Sequence, residues 1–154
     1  MNISENIKKI HEEVTTWRHE LHANPELCYE ENWTAEYIIE KLKSFGIEVH
    51  NKIGKTGVIG VLKGSNSQEH KSNRSIGLRA DMDALPIEEE NDFDYKSKFL
   101  GKMHACGHDG HVAMLLGAAK ILSKEKKFSG TVYFIFQPAE EGGGGGLKMI
   151  NDGL

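Results

Sequence analysis

The chain has 154 residues, with 19 Lys and Arg against 23 Asp and Glu, a formal charge of −4 when its eight histidines are counted neutral. That length suits one α/β domain, 38% hydrophobic and 27% charged residues exclude a disordered chain, and the mild negative balance argues against a nucleic-acid binder. The longest apolar runs reach only about half of a membrane span, the polar start at Met1 to Asn6 has no signal-peptide apolar region, and two cysteines, Cys28 and Cys106, fit a reducing compartment, so a soluble, cytoplasmic domain is expected.

The first element is predicted to be an amphipathic helix. Ile3, Ile7, Ile10, Val14, Trp17 and Leu21 recur at steps of three and four and so share one stripe. Asn2 or Ser4 is expected to cap it, and Asn24-Pro25 ends it because proline cannot continue the hydrogen-bond ladder. A second helix is predicted from about Asn32 to Phe45, with Trp33, Tyr37, Ile38 and Leu42 inward and Gly46 as its stop. Strand patterns follow at Ile47–Val49, Val58–Leu62 and Ile76–Ala80, with a polar loop from Gly64 to Asn73.

Residues Glu88 to Lys102 lack periodicity and read as a surface excursion. His104 to Asp109 is expected to be extended, Gly110 to Leu122 helical, and Thr131 to Phe136 a strand apolar on both faces. A last helix begins near Leu147. Strands alternating with helices predict an α/β fold, a three-layer αβα sandwich, with its site beyond the carboxyl ends of the strands. Asp81 and Asp83 follow one strand, and Glu140 and Glu141 follow another.

The strongest chemical signal is Met103-His104-Ala105-Cys106-Gly107-His108-Asp109-Gly110-His111. In an extended segment, His104, Cys106 and His108 would point to one side, and thiolate with imidazole suits zinc, manganese, cobalt or nickel. Gly107 would let the backbone approach a metal. The plainer reading is the start of a helix with incidental histidines. Glu140 and Glu141 would leave an extended backbone on opposite sides, one to ligate a metal and one to face substrate; a bare acidic turn is the alternative. Asp81 and Asp83 either ligate metal, accept the outer N–H of a ligating histidine, or form a solvated turn. Arg18, His19 and His22 read as surface and packing groups, and Cys28 as a small buried side chain.

The run Gly142 to Gly146 lacks the Gly-Lys-Ser/Thr of a phosphate loop, since Leu147-Lys148-Met149 follows it. It reads as backbone lying flat beside a ligand or another strand, or else as a flexible tether. No Gly-x-Ser-x-Gly pattern is present, which argues against a serine hydrolase.

Four ordered motifs, Arg18-His19-Glu20-Leu21-His22 with Pro25-Glu26-Leu27, Gly77 to Pro86, Met103 to Asp109, and Gln137 to Gly142, closely resemble the start of the N-acyl-amino-acid amidohydrolases. These form the hippurate hydrolase and carboxypeptidase branch of the aminoacylase-type dinuclear metallopeptidase family. The resemblance covers nearly the whole chain. It implies a zinc-exopeptidase-like catalytic domain holding two divalent ions (Zn, Mn, Co or Ni), with Cys106, His108 and Glu141 as ligands and Cys106 as the bridging thiolate. It further implies that Glu140 is the general base and that Asp81, Asp83 and Asp109 support the ligands. The substrates would be N-acyl amino acids or short peptides.

Family members are longer, with a lid and dimerisation domain and two more histidine ligands that have no counterpart in residues 1–154. The chain is therefore expected to be the amino-terminal part of one catalytic domain, inactive or weak alone. The alternatives are a non-catalytic remnant, or half of a split enzyme completed by a partner chain or working as a homodimer.

Overall fold

The computed structural model describes residues 5–65 and 74–154. The expected capping by Asn2 or Ser4, the contribution of Ile3 and most of the polar loop lie outside the described residues. Helix α1 (Glu5–His22) buries Ile10, Trp17 and Leu21 from its predicted stripe, while Ile7 at its start stays half exposed. Its end is closed by Ala23 and Asn24 N–H groups donating to His19 and Leu21 carbonyls at 3.0 Å each, just before Pro25.

Helix α2 (Asn32–Ser44) turns Ile38, Ile39 and Leu42 inward. Trp33, expected inward, is 39% exposed and stacks along the helix on Tyr37 at 5.2 Å, as residues four apart can. Strands β1 (Glu48–Ile53) and β2 (Gly57–Lys63) form a hairpin, followed by β3 (Ser75–Asp81). Helix α3 (His108–Glu125), strand β4 (Thr131–Gln137) and helix α4 (Gly145–Asn151) complete the order.

The sheet order is β1-β2-β4-β3. β2 runs antiparallel to β1 and β4, whereas β3 and β4 are parallel, with Asp81 opposite Gln137. Period-2 alternation puts Val58, Leu62, Ala80, Val132, Phe134 and Phe136 on one face, where they meet Leu42 of α2 and Val112, Leu115 and Leu116 of α3 in a single core. Burying such side chains contributes about 1.5–3 kcal/mol each.

On the opposite face α4 sets Met149 against Gly57, so helices lie on both faces and the fold is α/β. The second apolar row of β4 is only partly covered: Tyr133 is 37% exposed. Among the described residues β3 is an edge strand, with Ile76 exposed along it. No described helix is long and apolar enough to cross a membrane.

Candidate metal centre

Because β3 and β4 are parallel neighbours that end level with one another, the segments leaving them emerge side by side. Asp83 follows the first and Glu140-Glu141 the second, and the Glu141 backbone N–H donates to the Asp83 carboxylate at 2.9 Å. The third contribution comes from the start of α3. Gly107 adopts a left-handed φ of 89° and turns the chain directly into the helix, a conformation that a side chain disfavours. The helix thus begins at His108 rather than Gly110.

The alternation expected from an extended segment is already broken before this turn, where the Ala105 N–H donates to the Met103 carbonyl at 2.9 Å. His104 is buried at 4% exposure with neither ring nitrogen hydrogen-bonded among the described residues, while Cys106 is exposed. Desolvation pushes the His104 pKa down to about 4, so it is a neutral core histidine.

Ligand atoms of Cys106, His108 and Glu141 lie within 4.8 Å of one another. His108 is buried, and its Nδ1 sits 2.8 Å from the Asp83 carbonyl and 3.3 Å from Asp83 Oδ1. This placement favours the tautomer that leaves Nε2 free. Around Nε2 stand Glu141 Oε1 at 3.8 Å, Glu140 Oε2 at 3.9 Å and Asp81 Oδ1 at 3.6 Å. The two glutamates therefore approach the same imidazole, because the chain bends at this point instead of running extended.

A soft thiol, an imidazole and a carboxylate at this spacing, among four acidic side chains, fit a divalent transition ion. The Glu141 carboxylate beside the exposed Cys106 thiol raises its pKa, with desolvation and the nearby Glu140 and Asp81 carboxylates adding to the effect.

A second group, Asp81, His108 and His111, also converges. His111 Nδ1 is 2.6 Å from Asp81 Oδ1, and Arg79 Nη2 is 3.3 Å from Asp81 Oδ2. The guanidinium opposes a cation there, and His108 has a single Nε2 to share between the two groups. Asp81 thus has an arginine and a histidine as partners.

The structure gives Asp83 and Asp109 different surroundings. Burial alone would push Asp83 up; bonds from His108, the Glu141 N–H and the Cys28 thiol outweigh it and hold its carboxyl well below the usual range. Asp109 is buried one residue past His108 and accepts from His22 Nδ1 at 2.7 Å and Arg18 Nε at 2.9 Å. It does not accept the outer N–H of His108, which faces Asp83.

His22, read from the sequence as a surface or packing group, packs inside with two acidic partners. It is buried, its Nε2 lies 3.0 Å from Glu89 Oε1, and its pKa is raised by the Asp109 bond against burial. His19 stacks on Tyr95 at 3.6 Å. Cys28 also does more than fill space: its single thiol proton is shared between Asp83 Oδ2 at 3.1 Å and the Glu141 carbonyl at 3.3 Å, and burial pushes its pKa to about 11.

Sequence reasoning also missed Glu31, which is fully buried. The only available signal was an acid directly before an apolar helix. The glycine run folds back on its own strand end: a β-carbon at Gly145 would sit 1.7 Å from the Pro138 carbonyl oxygen. It is close-packed backbone against backbone.

The chain is 52% identical over 154 residues to the hippurate hydrolase of Campylobacter jejuni, covering 100% of this chain and 39% of that protein. It is 47% identical over 156 residues to the N-acyl-L-amino acid amidohydrolase of Geobacillus stearothermophilus, covering 97% and 41%. The crystal structure of the Bacillus subtilis YXEP protein, described as a dinuclear metal binding peptidase from the M20 family, superposes with a TM-score of 0.87 at 40% identity, over 95% of this chain and 40% of that one. The chain thus spans about two fifths of the length of these relatives. Residues 77–154, which include Asp81, Cys106, His108 and Glu141, match the family description, and the chain belongs to peptidase family M20/M25/M40.

Proposed function

We propose that this chain carries part of the catalytic machinery of a metal-dependent hydrolase that cleaves the amide bond of N-acyl amino acids or short peptides. The observation that carries the reading is the convergence of Cys106, His108 and Glu141 within 4.8 Å, beside a further carboxylate that none of them needs. A divalent ion (Zn, Mn, Co or Ni) held by these three side chains would polarise the scissile carbonyl and lower the pKa of water. Three protein donors leave room for more ligands, and relatives described as dinuclear hold two ions.

Glu140 is the general base in this reading. Its side chain is 41% exposed and lies 3.9 Å from His108 Nε2, so it reaches both solvent and the donor cluster. It takes a proton from the attacking water and hands it to the leaving nitrogen, giving a carboxylic acid and a free amine. Asp83 and the His108 Nδ1 contact keep the imidazole facing the ion. Asp81 and Asp109 tie β3 and the α3 start to Arg79, His111, Arg18 and His22 and support the ligands without joining them.

The test is hydrolysis of N-benzoylglycine and N-acetyl amino acids by residues 1–154 with Mn²⁺, Co²⁺ or Zn²⁺, beside Glu140→Gln in a full-length relative. Weak turnover by the chain, and a loss of at least about a hundredfold in kcat with bound metal retained, are expected. A full-length Gln variant with normal kcat removes Glu140 from its role.

A further inference from the structure

The connection between α1 and α2 is fastened to the turn that bears Glu140 and Glu141. Glu31 Oε1 accepts the Ala139 N–H at 2.8 Å, the Cys28 thiol donates to the Glu141 carbonyl at 3.3 Å, and the Tyr29 hydroxyl donates to the Gly143 carbonyl at 2.7 Å. Three side chains of one short segment thus bind residues 139, 141 and 143. The spacing is a template, with alternate residues of the turn held at the backbone.

Ala139 is the strained point. It has φ 50° and is fully buried, in a region that disfavours any residue with a β-carbon. Its carbonyl accepts the Gly145 N–H at 3.1 Å, so both its backbone polar groups are used to hold this conformation. The direction in which the chain leaves Ala139 sets where Glu140 and Glu141 point. If Ala139 relaxed to a common conformation, both carboxylates would swing away from His108.

Glu31 is an unusual choice for this task, because a buried carboxylate loses its hydration. Its second oxygen accepts the Thr56 hydroxyl at 2.6 Å, so one rigid planar group joins the turn to the start of the β2 hairpin.

We propose that Glu31 is a positioning residue: it holds Ala139 in its left-handed conformation and thereby aims Glu140 and Glu141 at His108. The proposal rests on Glu141 being a metal ligand and is tested without turnover. The full chain is titrated with Co²⁺, following the thiolate-to-cobalt absorption in the near ultraviolet and the visible d–d bands, with urea midpoints recorded alongside.

Wild type is expected to give the thiolate band. Glu31→Ala is expected to lose about 10- to 100-fold in cobalt affinity and to change its d–d intensities. Glu31→Gln, whose amide oxygen still accepts from Ala139, should restore the wild-type spectrum. Adding Ala139→Gly to Glu31→Ala should recover part of the affinity, since glycine adopts positive φ unaided; a purely structural role through Thr56 would not be rescued in this way.

Glu31→Ala with wild-type affinity and spectrum overturns the proposal. If Glu31→Ala does not fold, Glu31→Gln decides: a folded Gln variant with the wild-type spectrum supports positioning, and one with weakened affinity and altered d–d bands overturns it. Wild type without a thiolate band instead overturns the metal-centre reading on which the proposal stands.

Discussion

Asp83 binds Glu141 across 58 positions of sequence, its carboxylate accepting the Glu141 backbone N–H at 2.9 Å. The same residue offers its carbonyl to His108 Nδ1 at 2.8 Å, so one short segment beyond β3 fixes candidate ligands from β4 and from α3. Replacing Asp83 with Ala would leave the Glu141 N–H unpaired and leave the Cys28 thiol only the Glu141 carbonyl as acceptor. The expected cost is about 3 kcal/mol in unfolding free energy and about 10- to 100-fold in metal affinity, measured by urea denaturation and calorimetric titration. An unchanged affinity would show that His108 and Glu141 are held by other contacts.

Cys106 and Glu140 should separate binding from chemistry. Cys106→Ser is expected to weaken uptake of Zn²⁺ or Co²⁺ by at least about tenfold, because a hydroxyl is a poor substitute for thiolate on such ions. Glu140→Gln should leave uptake within about twofold of wild type. Equal losses in both, read by isothermal titration, would place Glu140 among the ligands.

Metal uptake should depend on pH in a defined direction. The neighbouring Glu141 carboxylate raises the pKa of the Cys106 thiol, and its proton must leave before sulfur binds an ion. Affinity should therefore rise with pH, by up to about tenfold per unit while the thiol remains protonated. Titrations in two buffers of different ionisation enthalpy should report about one proton released per ion, and Cys106→Ser should abolish most of that release.

Acid should weaken the fold through His104. Its native pKa of about 4 lies below the ordinary histidine value of about 6.5, so below about 6.5 the unfolded chain takes up a proton that the native state refuses. Stability should fall as pH drops from about 6.5 to about 4, by roughly 3 kcal/mol for this one group. His104→Leu should flatten that part of the profile in urea-midpoint measurements.

His22 works in the opposite sense. Its pKa is raised by Asp109, against burial, with Glu89 adding to the effect. The stabilisation is therefore complete below pH 6.5 and is lost as pH rises through the raised native value. In His22→Gln the decline in urea midpoint on the alkaline side should be shallower than in wild type. An unchanged profile would mean that His22 is neutral between its two carboxylates.

What the sequence determined by itself is what local physics controls. The stripe through Ile10, Trp17 and Leu21, the apolar strand run from Val58 to Leu62 and the stop at Pro138 all follow from residue pattern and backbone chemistry, which act over a few residues. The ordered motifs around Asp81, Cys106 and Glu141 also named the candidate donors. Tertiary structure alone decided how those donors meet. His104 turned into the core while Cys106 stayed exposed, the left-handed Gly107 started α3 at His108, and the bend after Ala139 brought two adjacent glutamates to one imidazole. His22, Cys28 and Glu31 gained their partners from residues 25 to 113 positions away. Such pairings depend on the parallel registry of β3 with β4 and on burial, neither of which leaves a mark on neighbouring residues along the chain.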